Sequence, residues 1–224
     1  DDAIVRVLDA GTHAGRPYLA MEMLDGETLA SAVDREGALS KGRALGVLRS
    51  IGGGLDAAHR AGIVHRDVKP SNVFLTAEPQ ATAKLLDFGI SKTVGATAGS
   101  TEGFGLSVAP DFMSPEQIAG AEPIDHRTDL FSLGAVAFYA LTGVKPFAAE
   151  NFTAVCDAIT NGPTPSATAV DASLPGAIDV WLTRALAKSP DDRFPSARAF
   201  AEALRGADAS ARVIAQTGSA DALS

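Results

Sequence analysis

The chain has 224 residues, enough for one substantial core or two lobes and no more. With 46% hydrophobic and 21% charged residues it has the balance of a folded protein and not of a disordered one, and its net charge of −8 comes without the clustered Lys and Arg that nucleic-acid binding needs. The single cysteine, Cys156, allows no internal disulfide and predicts a reducing, cytoplasmic setting.

Ile4, Val5, Val7 and Leu8, and then residues 18–23, form two strand-like runs around a Gly-bearing loop at residues 11–16, which predicts a hairpin. Two strands alone are marginal, so residues 1–22 are expected to be poorly supported or to cling to the rest. Ser40 as a cap, with Leu45, Leu48, Ile51, Leu55 and Ala58 at helical spacing up to Gly62, predicts a helix with one buried face. Gly52, Gly53 and Gly54 inside it each cost roughly 1 kcal/mol against Ala, so packing has to hold the helix, and a neighbouring element could approach closely there. Residues 73–75 and 84–86 predict a second hairpin. Residues 130–141 form the longest apolar run, short of the ~20 residues of a membrane-spanning helix, and read as a buried core helix. Residues 161–176, rich in Pro and Ser, read as a loop; residues around Trp181 and residues 197–204 read as closing helices, and 206–224 as a weakly ordered tail or linker.

Between the long helix and the second hairpin lies IVHRDVKPSN, residues 63–72, answered after the hairpin by Asp87-Phe88-Gly89. A carboxylate at Asp67, an ammonium at Lys69 and an amide at Asn72 share one segment, which Pro70 keeps from continuing as a regular helix. Phosphoryl transfer needs a group that orients and deprotonates the attacking hydroxyl, a cation near the moving phosphoryl, and oxygen ligands for magnesium. Asp67, Lys69, and the pair Asn72 and Asp87 supply these in turn. The hairpin would bring Asn72 and Asp87 to neighbouring strand ends, where they could share one cation. Taken singly, His65 would be an ordinary core histidine, and Asp67 or Asp87 a turn former.

Together these residues closely resemble the catalytic and magnesium loops of eukaryotic-type (Hanks-type) serine/threonine protein kinases, in a bacterial-like form. The resemblance covers roughly residues 4–205. It implies an α+β, protein-kinase-like fold, mainly the α-helical C-terminal lobe with a remnant β-hairpin of the N-terminal lobe: residues 1–22 the remnant, 23–205 the hinge and large lobe, 206–224 the tail. It implies ATP and Mg2+ as cofactors. Lys69, two residues after the base, follows the Ser/Thr pattern and implies protein hydroxyls as acceptors.

By the same resemblance, Met21 would limit access behind the adenine, the backbone of Glu22 and Met23 would hydrogen-bond it, and Phe74 would form an apolar floor. Asp129 would hold the backbone near His65 and Arg66. Glu116, in Ser114-Pro115-Glu116, would pair with Arg193. Arg66 implies activation by phosphate on the following segment, with one of Thr97, Ser100 or Thr101 as the candidate acceptor; a plain surface loop at residues 91–107 is the other reading. Two departures stand out. Ala109 replaces the threonine that normally hydrogen-bonds the Asp and Lys, a loss of about 1 kcal/mol that would slow transfer several-fold. No GxGxxG and no Val-Ala-x-Lys strand is present. The sequence therefore reads as a fragment, inactive or nearly so alone, from a kinase whose membrane attachment, if any, lies elsewhere. A catalytically idle kinase-like binding module and a small-molecule phosphotransferase remain as alternatives.

Overall fold

The computed structural model describes residues 1–77, 83–87 and 110–207. At the N-terminus, strands β1 (Val7–His13) and β2 (Arg16–Met21) pair antiparallel. The expected loop at 11–16 is shorter than the sequence suggested: Gly11 pairs with Tyr18, Thr12 with Pro17 and His13 with Arg16. The reason is local. Ala14 and Gly15 both take positive φ (50° and 77°), so two residues complete a turn whose twist matches the strands.

Ahead of this hairpin, residues 3–5 lie on the main body. Val5 N donates to Leu85 O at 3.0 Å and Leu85 N to Ala3 O at 2.8 Å, with a parallel bridge between Ile4 and Leu85. The N-terminal segment thus clings to the larger unit, and a glycine makes this possible. A Cβ on Gly54 would lie 3.1 Å from Ala3 O and 3.3 Å from Ile4 Cγ1.

A second sheet has the order β3 (Gly26–Thr28), β4 (Val73–Thr76), β5 (Ala83–Leu85), all antiparallel. The expected hairpin supplies β4 and β5. β3 was not foreseen, because three residues leave no readable alternation. Thr28 ends β3 and caps α1 (Leu29–Glu36) by accepting from Ser31 N. Helix α2 (Lys41–Arg60) starts at Ser40, whose side chain accepts from Arg43 N, and buries Leu45, Leu48, Ile51 and Leu55.

The chain continues with α3 (Pro115–Ile118), α4 (Arg127–Thr142), α5 (Phe152–Thr160), α6 (Ala167–Val170), α7 (Gly176–Ala185) and α8 (197–207). Every residue of α4 from Thr128 to Leu141 is buried, so this helix is the axis around which the others pack. Gly134 lets α7 come close, since a Cβ there would lie 2.9 Å from the Ala185 Cβ. α6 falls inside the stretch 161–176 expected to be a loop. Ser166 caps it locally, accepting from Ala169 N at 3.1 Å, and the Asp179 carboxylate, from α7, adds a second cap by accepting from Ala167 N at 2.6 Å and Thr168 N at 3.2 Å. Among the described residues no helix is long and apolar enough to cross a membrane.

Candidate active site

The segment after α2 is organised from below by one carboxylate. Asp129, in the first turn of α4, is fully buried. Its Oδ2 accepts from His65 N and its Oδ1 from Arg66 N, both at 2.8 Å, while His59 Nε2 lies 2.8 Å from Oδ2. Three polar partners from two segments offset the cost of burying the charge. Arg66 takes φ +64°, the left-handed region that a residue with a Cβ enters only when its surroundings demand it.

His65 is fully buried between the segment that carries Asp67 and the one that carries Asp87. Its Nδ1 accepts from Asp67 N at 3.2 Å, so the ring proton sits on Nε2, which donates to Leu86 O at 2.8 Å. Burial lowers its pKa, against the opposing pull of Asp129, and the ring stays neutral near pH 7. The neutral imidazole is therefore a spacer of fixed tautomer joining Asp67 to the residue before Asp87.

Asp67 Oδ2 accepts from Lys69 Nζ at 2.8 Å and from Asn72 Nδ2 at 3.0 Å, and Asn72 Nδ2 also reaches Asp67 O at 2.9 Å. Pro70 opens the 3-10 turn Pro70–Asn72 that swings Asn72 back toward Asp67. Leu86 N donates to Asn72 O at 2.8 Å, and Val73 pairs with Leu85, so Asp87 follows directly from the strand beside Asn72. Asp87 is exposed, with φ +44°.

This donor set fits magnesium on a nucleotide. The Asn72 amide turns its nitrogen to Asp67 and keeps Oδ1 out of those bonds, and Asp87 adds an exposed carboxylate. Among the described residues no group of three or more His, Cys, Asp or Glu could hold a metal. Two hard oxygens without a cage are what a cation mostly ligated by phosphates and water requires.

On the side expected to face adenine, Met21 ends β2 partly exposed and Met23 is 95% exposed, while Phe74 is half-buried in β4 opposite Thr28. Glu22 is more committed than the sequence suggested. Its N–H donates to Arg6 O at 3.0 Å, and its side chain accepts from Arg6 N at 2.9 Å and Lys84 Nζ at 2.6 Å. The bond from Lys84 holds the Glu22 carboxyl below the usual range. The Lys84–Glu22 pair ties β5 to the segment after β2, and nothing in the local pattern of either residue announces it.

Arg193 is buried with all five guanidinium N–H groups used. Its terminal nitrogens donate to Glu116 Oε1 and Oε2 at 2.7 and 2.8 Å, to Arg127 O at 3.0 Å and to Lys188 O at 2.9 Å, and its Nε donates to Ala187 O at 2.8 Å. The guanidinium also lies 5.0 Å from the Phe131 ring centroid. Phe88, Gly89, Ala109 and the candidate phosphate acceptors Thr97, Ser100 and Thr101 lie outside the described residues.

The profile of the family described as protein kinase domain matches residues 1–214. Serine/threonine-protein kinase Pkn1 of Myxococcus xanthus is 39% identical over 204 residues, covering 90% of this chain and 29% of that protein. Serine/threonine-protein kinase PknL of Mycobacterium tuberculosis is 35% identical over 198 residues, 88% of this chain and 49% of the relative. The chain thus spans half or less of the length of these curated relatives. Among solved structures, Rad53 1-466 in complex with AMP-PNP superposes with a TM-score of 0.73 at 23% identity, over 89% of this chain and 49% of that one, a likeness of fold. With the family profile spanning nearly its whole length and the loop geometry in agreement, the chain belongs to the protein kinase domain family, among the bacterial-like serine/threonine kinases.

Proposed function

We propose that this chain is the catalytic large lobe of an ATP- and magnesium-dependent kinase that phosphorylates Ser and Thr hydroxyls of proteins in the cytoplasm. The observation that carries the reading is the Asp67 carboxylate, gripped by Lys69 and Asn72, standing beside the strand end that presents Asp87. When bound, ATP supplies the phosphoryl group and magnesium neutralises its charge. Asp67 orients the acceptor hydroxyl and takes its proton. Lys69, bonded to the same carboxylate, brings positive charge to the place where the phosphoryl moves. Asn72 and Asp87 offer the cation its protein oxygens, and the Asn72 contact to Asp67 sets the metal side of the site at a defined distance from the base. Positioning is most of this catalysis, so the phosphate-clamping elements of a small lobe are needed for turnover.

An idle binding module has no need to keep Asp67, Lys69, Asn72 and Asp87 together, and their preserved geometry favours the enzyme. The test is phosphate transfer from ATP to a protein acceptor by the full-length protein in the presence of magnesium. Asp67→Asn is expected to lower the rate by about 100-fold or more. Equal rates for the two proteins, or phosphate placed only on small molecules, would remove the reading.

A further inference from the structure

The peptide bond that leads into Asp67 is held at both ends. Its N–H, on Asp67, donates to His65 Nδ1 at 3.2 Å; its oxygen, on Arg66, accepts from Gln117 Nε2 at 2.8 Å. Such a clamp matters because this peptide plane sets ψ of Arg66 and φ of Asp67, and φ of Asp67 sets the direction in which its side chain leaves the loop.

Gln117 occupies the third position of α3, where its other amide atom is already used. Oε1 accepts from Ser114 N at 3.1 Å and Ser114 Oγ accepts from Gln117 N at 3.3 Å, a reciprocal capping box. Glutamate fills that box equally well and suits the positive end of a helix better. Capping therefore gives no reason for an amide. The bond donated to Arg66 does, since an ionised carboxylate has no proton to give. α3 is itself immobilised by Glu116 on Arg193 and by Ser114 Oγ, 2.6 Å from Thr128 Oγ1.

We propose that Gln117 is a positioning residue for Asp67, transmitting the placement of α3 to the catalytic loop through the Arg66 carbonyl. The inference rests on the reading of Asp67 as proton acceptor, and its test separates the two. In the full-length protein, Gln117→Glu keeps the capping box and loses the donor, whereas Gln117→Leu loses both. Both are expected to lower kcat about three- to tenfold while KM for ATP stays within about twofold. The Gln117→Glu melting temperature should match wild type within about 2 °C, and its Asp67 amide should exchange hydrogen about tenfold faster. If Gln117→Leu fails to fold, Gln117→Glu alone decides. Wild-type kcat and wild-type exchange at Asp67 in Gln117→Glu would overturn the proposal, as would a loss confined to KM. Should the wild-type protein transfer no phosphate, the kinase reading fails, and exchange at Asp67 still decides whether Gln117 holds the loop.

Discussion

Arg193 is the largest fully buried side chain among the described residues, and it is buried as an ion. Its five satisfied donors explain how. Removing it takes the ion pair from Glu116 and one hydrogen bond from each of three backbone carbonyls, so Arg193→Ala should cost about 3–5 kcal/mol, read as a fall in melting temperature. An unchanged melting temperature would mean that the pair carries no weight. Burial alone would raise the Glu116 pKa, but the Arg193 bonds outweigh it and hold the carboxyl below its ordinary 4.5. A carboxyl whose pKa is lower in the folded chain stabilises the fold above its unfolded pKa and loses that contribution as pH falls through the folded value. Wild type and Glu116→Gln should therefore differ most in melting temperature at neutral pH, and the gap should narrow as pH drops below 4.5. A gap that widens on acidification would reverse the sign of the linkage. At this scale the closeness of Asp67, Lys69 and Asn72 was legible because they stand a few positions apart in one turn-rich segment. The Lys84–Glu22 pair and the Gln117 bond were not, because each joins residues whose separation in sequence says nothing about distance.

Among the elements, α2 shows how one composition serves two purposes. Gly53 is exposed with open space around its missing Cβ, whereas a Cβ at Gly54 would press on the backbone of Ala3. Gly53→Ala should stabilise by about 0.5–1 kcal/mol through helix propensity and a less flexible unfolded chain. Gly54→Val should destabilise, pushing residues 3–5 off β5, a change visible as faster amide exchange at Val5 and Leu85. Equal effects at the two sites would refute the close approach. The sequence showed three adjacent glycines and the possibility of contact, and only the packed helix shows which glycine is used. In the same way, α6 and β3 were hidden in short stretches with no period of their own, held by Asp179 from another helix and by pairing to β4.

In the whole molecule, burial is distributed unevenly. α4 is enclosed on all sides, and Trp181, Phe194 and Phe200 form an aromatic cluster beside it, with the Trp181 and Phe200 rings 4.5 Å apart. β1 is exposed along its whole length, and β2 at all but one residue. The hairpin is joined to the rest through residues 3–5 and the Glu22–Lys84 pair. Its amides should exchange orders of magnitude faster than those of α4, which open only with global unfolding. Comparable protection in both would show that the molecule behaves as a single cooperative block.

By itself the sequence determined the resemblance to the protein kinase domain family, the long helix, the strand pair that leads to Asn72 and Asp87, and the buried character of α4. These follow from residue types at fixed offsets and from apolar periodicity, both properties of the local chain. Only the tertiary structure decided which glycine admits the N-terminal segment, which tautomer His65 holds, and that the carbonyl before Asp67 is pinned from α3. Those outcomes depend on which distant groups come within about 3 Å of one another, and hydrogen bonds and close packing act over no longer range.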